Sequence, residues 1–409
     1  MRPAPTRVLV FSTLYPNAAQ PNHGVFVENR LRHTLALGEM QATVLAPVPY
    51  FPSSHAVFGR YGVFATVPDR ECRHGLEILH PRYLVLPRLN FLTPYLLYRA
   101  ALKAVKRAGK GFDVIDAHYF YPDGVAAALL GRKLGLPVVV TGRGSDLTMI
   151  PRDPVARRQI QWAAGQANTM IAVCEDLRRH LLALGAKVER TLVLRNGVDL
   201  ERFSPGDRLA ARAVRGLARF TLLSVGSLIP RKGHHIAIAA LVDLPDCDLL
   251  IAGDGPMREE LVRLAARTGV ADRVRFLGGV PHADLPEIYR AADVLLLASE
   301  REGWANVLLE AMACGTPVVA TDVNGTSEAV CDPAAGVLMA DRSAAALVAA
   351  LDILRRNMPS RVATRAHACR FGWEPIARLN KGVLISAAEA GRGGRDIHGL
   401  PAAPVDNRV

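Results

Sequence analysis

Short apolar runs, separated by stretches with helical spacing, recur along almost the whole chain. In the first half they fall at residues 8–11, 42–46, 114–117, 138–141, 170–173 and 192–194, and a second series follows at 220–225, 249–252, 274–277, 294–298 and 318–321. Runs so short and so uniformly apolar predict strands covered on both faces, and their alternation with helical patterns predicts parallel, doubly wound α/β sheets. Two series predict two Rossmann-like domains. The first is expected at residues 1–200, a connector rich in Arg and Pro at 201–218, and the second at 219–372. A helical pattern covers 373–390, and residues 391–409 carry Gly, Pro and charge without period, the composition of a disordered tail. Ligands of open α/β sheets bind outside the carboxyl ends of the strands, so two such domains imply a deep interdomain cleft.

Composition narrows the partners. Half of the 409 residues are hydrophobic, enough for two cores. Residues 1–205 hold 26 Lys and Arg against 15 Asp and Glu, while residues 206–409 hold 24 against 23. A basic first half suits nucleic acid, acidic lipid headgroups or a phosphorylated substrate, or else a solvated face with no partner. For nucleic acid, the expected interleaving of aromatic and basic positions on strands is missing. Six cysteines form no CxxC pair and no His/Cys ligand spacing, which predicts reduced thiols, a cytoplasmic location and no structural metal. No run of about 18 apolar residues is present, so any membrane contact is expected to be peripheral. In residues 89–110, Leu96, Leu97, Leu102 and Val105 can share a helix face while Lys103, Lys106, Arg107 and Lys110 lie mostly elsewhere. That pattern suits an anionic membrane surface and, equally, a core-packed helix with a wet basic face.

The chemistry concentrates after strands. In "SEREGWANVLLEAMACGTPVVAT", residues 299–321, Glu302 and Glu310 stand with seven residues between them. Gly303 allows an unusual turn before a helix-forming run at 305–313, which puts Glu302 at the helix mouth and Glu310 about two turns inside. The amides and dipole of such a helix start make an anion site suited to a diphosphate. A carboxylate two turns along suits paired ribose hydroxyls, or alternatively a neighbouring Arg. "SVGSLIPRKGHH" adds Arg231 and Lys232 on a loop at the carboxyl end of the 220–225 run, two cations able to neutralise a leaving diphosphate. Gly24, His118, and Arg143 with Asp146 fall just past strands of the first half. There is no P-loop and no GxSxG elbow, and "AGDGPMREEL" lacks the third glycine of a dinucleotide fingerprint.

With these residues assembled, the chain resembles glycosyltransferase family 4, the retaining GT-B enzymes that use nucleotide-sugar donors. The resemblance rests on "TGRGSD", "NGVD", "PRKG", "AGDGP", "RFLG" and above all "EGWANVLLEAMACGTPVVAT", the family's E-x7-E motif. It implies that Glu310 holds the nucleotide ribose and that Arg231 and Lys232 hold the diphosphate. Phe276, Leu277 and Val307 would meet the rest of the nucleotide. Glu302, Gly303, Trp304, Ala305 and Asn306 would surround the donor sugar, with Gly24, His118, Arg143 and Asp146 on the sugar and acceptor side. His118, Arg231, Lys232 and Glu302 would carry the catalysis. The implied reaction moves a hexose-type sugar from a UDP- or GDP-linked donor, without metal or further cofactor, to a lipid-linked or polysaccharide acceptor. The implied place is the cytoplasmic side of the plasma membrane, with peripheral contact to anionic lipid and no nucleic acid. The 373–390 helix would cross back onto the first domain. Two positions depart from the family pattern: Ser227 stands where many members carry Arg, and Asn22-His23-Gly24 where many have Gly-Gly. Other nucleotide-sugar enzymes, an epimerase or a phosphorylase-like transferase, and a basic nucleic-acid-binding protein are the alternative readings.

Overall fold

The computed structural model describes residues 4–393. The chain divides into two compact units, one formed by residues up to Arg195 together with those from Glu374 onward, the other by Asn196–Trp373.

In the first unit the strands are β1 (Thr6–Phe11), β2 (Met40–Leu45), β3 (Val48–Pro49), β4 (Arg70–Arg73), β5 (Leu76–Leu79), β6 (Arg82–Tyr83), β7 (Val114–His118), β8 (Val138–Gly142), β9 (Thr169–Ala172) and β10 (Thr191–Val193). The main sheet runs β10-β9-β8-β7-β1-β2-β5-β4, parallel except for β4, which folds back antiparallel on β5; β3 and β6 pair separately. Val8, Leu9, Val10 and Phe11 are all fully buried because helices cover both faces of this sheet. Val8 and Val10 share one core with Val27 and Leu31 of the Val25–Ala36 helix and with Val383, Leu384 and Ala387 of the Trp373–Gly393 helix. That last helix is tied to the same unit by Lys381 to Glu39 at 2.9 Å and Asn380 to Thr34 at 3.1 Å. It extends through residues 391–393, the first of the expected tail; residues 394–409 lie outside the described residues.

The second unit holds β11 (Phe220–Val225), β12 (Cys247–Ala252), β13 (Val274–Gly278), β14 (Val294–Leu297), β15 (Val318–Thr321) and β16 (Gly336–Met339), all parallel in the order β13-β12-β11-β14-β15-β16. In each sheet a central strand has its successor on one side and a later strand on the other: β1 lies between β2 and β7, and β11 between β12 and β14. At such a switch point neighbouring loops leave the sheet in opposite directions and open a crevice. The loops after β11 and β14 are therefore set side by side, and so are those after β1 and β7.

Three segments differ from the expectation. The β4–β5 hairpin has no apolar run to reveal it, because β4 is an edge strand reading Arg-Glu-Cys-Arg. The short strand β16 also escapes the pattern. Residues 201–218 are no free connector: Asp207 caps the helix Arg208–Ala213, Arg212 reaches Asp293 at 2.9 Å, and Phe203 is buried within the second unit. Their charged composition hides a few apolar anchors.

Candidate active site

The loop after β11 is fixed by Gly233, whose φ of 72° a side chain would strain, and whose added Cβ would lie 2.0 Å from the Ala298 carbonyl oxygen. This close approach presses the Arg231-Lys232 turn against the end of β14. Lys232 Nζ donates to Glu302 Oε1 at 2.6 Å, and Ser299 Oγ donates to the same oxygen at 2.7 Å. Arg231 Nη1 lies 3.8 Å from that oxygen and donates to the Arg301 carbonyl at 2.8 Å. The Glu302 amide is taken by Asn324 Oδ1 at 3.1 Å. The three expected charged residues are thus already assembled, with two cations against one carboxylate. That surplus of positive charge at a strand end suits an incoming anion.

The helix that follows spans Asn306–Ala313, and its N-cap Ala305 supplies no side-chain cap. Glu310 lies on the buried side and is 8% exposed. Its charge is met by two donors rather than by an Arg: His282 Nε2 at 3.0 Å and the Tyr289 hydroxyl at 2.9 Å. Arg202 faces His282 Nδ1 at 3.1 Å, and since a guanidinium only donates, Nδ1 accepts and Nε2 carries the proton given to Glu310. Phe203 packs edge-on against His282 and Tyr289 at 5.1 and 6.0 Å. Burial, and then the Glu310 charge, push the Tyr289 phenol well up, so it remains a donor. Sequence reasoning missed His282 and Tyr289. The signal was Pro281-His282 just beyond the carboxyl end of β13.

The other expected donor-side residues vary in what they offer. Val307, Gly303 and Asn306 are half-buried at the helix start, and Asn306 Oδ1 accepts from Asn196 at 3.2 Å. Trp304 and Ala305 are buried, with the Trp304 and Phe371 ring centroids 6.0 Å apart. Phe276 and Leu277 lie on β13, the sheet's edge strand, with Phe276 half-buried under the Arg258 guanidinium.

In the first unit the structure groups His118, Arg143 and Asp146 but turns their side chains inward. His118 closes β7 and is 1% exposed; its Nδ1 accepts from Arg143 at 2.8 Å and its Nε2 faces Asp116 at 3.4 Å. Burial is the main cause that lowers its basicity, which keeps the ring neutral. Arg143 is buried over the Phe26 ring, with its basicity lowered by burial and by Arg30. Asp146 accepts from the amides of Phe120, Arg143 and Gly144 at 2.7, 3.0 and 2.7 Å, so it holds the backbone of this corner. Buried polar groups must find partners, and here they find one another, Asp116 and the backbone amides of the corner. Gly24 has φ 71°, and a Cβ would meet the Leu14 carbonyl at 2.3 Å, so it lets the loop after β1 close on itself. Among the described residues no three His, Cys, Asp or Glu side chains converge as metal ligands.

Comparison with known proteins agrees with this arrangement. Residues 57–202 match the family described as Glycosyltransferase Family 4, and residues 210–369 that described as Glycosyl transferases group 1. The D-inositol 3-phosphate glycosyltransferase of Frankia alni is 37% identical over 307 residues, 68% of this chain and 74% of its own. The sucrose-phosphate synthase of Thermosynechococcus elongatus superposes with a TM-score of 0.76 at 22% identity, over 94% of this chain and 99% of that one. HepE of Anabaena, solved in complex with UDP-glucose, gives 0.71 at 21% identity, over 93% and 99%. With matched families over residues 57–202 and 210–369 and a glycosyltransferase 37% identical over 68% of this chain, the chain belongs to glycosyltransferase family 4 and is a glycosyltransferase of the GT-B fold.

Proposed function

We propose that the second unit binds a UDP- or GDP-linked hexose and that the enzyme transfers this sugar with retention of configuration, using no metal and no further cofactor. The observation that carries this reading is the Arg231–Lys232–Glu302 cluster at the β11/β14 switch point, beside an uncapped helix start. The diphosphate sits over the two cations and the helix amides. Glu310, held by His282 and Tyr289, accepts from the ribose hydroxyls. The edge backbone at Phe276 and Leu277 meets the base. As the bond from the anomeric carbon to the diphosphate oxygen breaks, positive charge stabilises the leaving group. The acceptor hydroxyl then attacks from the same face and gives its proton to the departing diphosphate oxygen. Electrostatic stabilisation of the leaving group is the main catalytic contribution.

The acceptor is anionic in this reading, in keeping with the basic first half of the chain. A lipid-linked or polysaccharide acceptor at the inner face of the plasma membrane is one form. The name of the Frankia relative favours a second, a phosphorylated cyclitol.

The experiment is thermal stabilisation by UDP, GDP and ADP and their sugar conjugates in chelator, with Glu310→Ala alongside. One nucleotide should raise the melting temperature of the parent and not of the variant. Stabilisation that needs a divalent ion, or that is equal in Glu310→Ala, would overturn the donor assignment. Product analysis with inositol phosphate and with extracted lipid-linked acceptors then separates the two acceptors.

A further inference from the structure

Among the described residues, every exposed aromatic side chain, Tyr50, Phe58, Tyr61, Phe91 and Tyr95, falls between residues 50 and 95. Leu84, Leu89 and Val57 stand exposed in the same stretch. Single exposed apolar residues need no explanation, but a concentration of them on one face does.

These residues are brought onto neighbouring elements of the first unit. β3 runs beside β6, and the Tyr50 amide donates to the Tyr83 carbonyl at 2.7 Å. Phe51 packs on Phe58 and Tyr61 with ring centroids 5.2 and 5.5 Å apart. β6 in turn lies against the Thr93–Ala108 helix. That helix sends Pro94, Leu97, Ala101 and Val105 to the core, which is all the anchoring it needs. Leu96 and Leu102, expected on the same apolar face, are instead only half-buried and lie outside that core-facing stripe. They border an open groove of about 580 Å³ between helix and strand.

The groove has one sign of charge. Arg82, Arg99, Lys103 and Lys106 line it together with three tyrosines, and no acidic side chain does. Arg82 is occupied with the carbonyls of Phe64 and Val67, but Lys103 and Lys106 stand exposed at the helix surface. Aromatic rings with a polar tip, exposed aliphatic side chains beside them and a rim of lysines are the components of a surface that rests at a lipid–water interface. The rings settle at headgroup depth and the cations meet acidic headgroups. Aliphatic Leu84 and Leu89 have nothing to stack on a base, which favours lipid over single-stranded nucleic acid.

We propose that this face, formed by β6, the segment around residues 50–64 and the Thr93–Ala108 helix, docks on an anionic phospholipid bilayer, with acidic headgroups in the groove. It gives a location to the membrane contact of the function proposed above and rests on that reading only for its biological purpose; docking itself requires no turnover.

The test is flotation of the full chain with phosphatidylcholine vesicles, with and without phosphatidylglycerol. The protein should float only with the acidic vesicles, and less as salt rises. Lys103→Glu with Lys106→Glu should cut partitioning at least roughly tenfold, since each basic residue near the surface contributes and each is here reversed in sign. Leu84→Ser with Phe91→Ser should remove the part that persists at high salt. Nucleotide-dependent thermal stabilisation serves as the folding control for each variant. Equal flotation with neutral vesicles, no flotation, or unchanged flotation of the lysine variant overturns the proposal, as does release of the protein from acidic vesicles by an oligonucleotide at equal charge. Sugar transfer without flotation sinks the docking alone. Flotation without any transfer supports the docking and sinks the function.

Discussion

The Tyr289 hydroxyl donates to Glu310 Oε2 at 2.9 Å inside the second unit, where the Tyr289 ring is fully buried. The carboxylate that the E-x7-E motif places in an apolar helix is thus held by a group lying 21 residues earlier, on the Leu285–Ala291 helix. Removing that donor tests the arrangement. Tyr289→Phe keeps the ring and leaves a buried carboxylate oxygen without its partner, which should cost about 1–3 kcal/mol of stability. Nucleotide binding should weaken as well, because Glu310 loses its fixed orientation. Urea unfolding and a nucleotide titration check both; an unchanged nucleotide Kd would separate Tyr289 from ligand binding.

Lys232 and Arg231 should both act on turnover more than on affinity. Lys232 is bonded to Glu302 before any ligand arrives, while Arg231 sits farther off at 3.8 Å. If both act on charge that develops at the leaving diphosphate, Lys232→Ala and Arg231→Ala should each lower kcat by roughly 100-fold and change KM far less. Steady-state kinetics with saturating acceptor gives the answer, and a pure KM effect would mean that the cations only bind the donor.

Gly233→Ala should be costly despite its small size. The backbone there is left-handed, and the new methyl would clash with the Ala298 carbonyl oxygen, at 2.0 Å. The loop has to move away from β14, taking Arg231 and Lys232 with it. A loss of more than about 2 kcal/mol in stability is expected from strain and displaced packing together. Activity should fall at temperatures where the variant is still folded, and full activity there would show that the loop position is not required.

His234 predicts a pH dependence of stability. Its Nδ1 accepts from Ser224 Oγ at 2.9 Å and its Nε2 donates to the Ser227 carbonyl at 3.2 Å, while burial pushes its pKa down to about 4. Between the unfolded value of about 6.5 and that folded value, the unfolded chain binds a proton that the folded one refuses. Stability from this group is therefore complete above pH 6.5 and is lost as pH falls toward 4, by about 3 kcal/mol at most. Asp123, pushed up to about 7 by burial, acts in the opposite sense over the same range. The measurement is accordingly a comparison of His234→Gln with the parent by chemical unfolding at pH 7.5 and pH 5. The stability gap should narrow at the lower pH, and a constant gap would contradict a neutral buried His234.

Much of this protein was legible in its sequence, for a physical reason. Parallel strands buried on both faces must be apolar throughout, so Val8–Phe11 or Val294–Leu297 announce themselves without neighbours. Chemistry at strand ends follows from the same pattern, which is how Arg231, Lys232, Glu302 and Glu310 could be named together. What the sequence determined was therefore the two sheets, the family and the charged residues at the strand ends of the second unit. Only the tertiary structure decided who their partners are. Lys232 meets Glu302 across 70 residues and His282 meets Glu310 across 28, distances that no local spacing encodes. It also decided that His118, Arg143 and Asp146 turn inward, because a polar side chain at a strand end can face ligand or core, and burial beside other polar groups settles the choice. The same holds for the Thr93–Ala108 helix, whose sequence allowed one apolar face and whose packing sends Leu97 and Val105 to the core while Leu96 and Leu102 border the open groove beside its lysines.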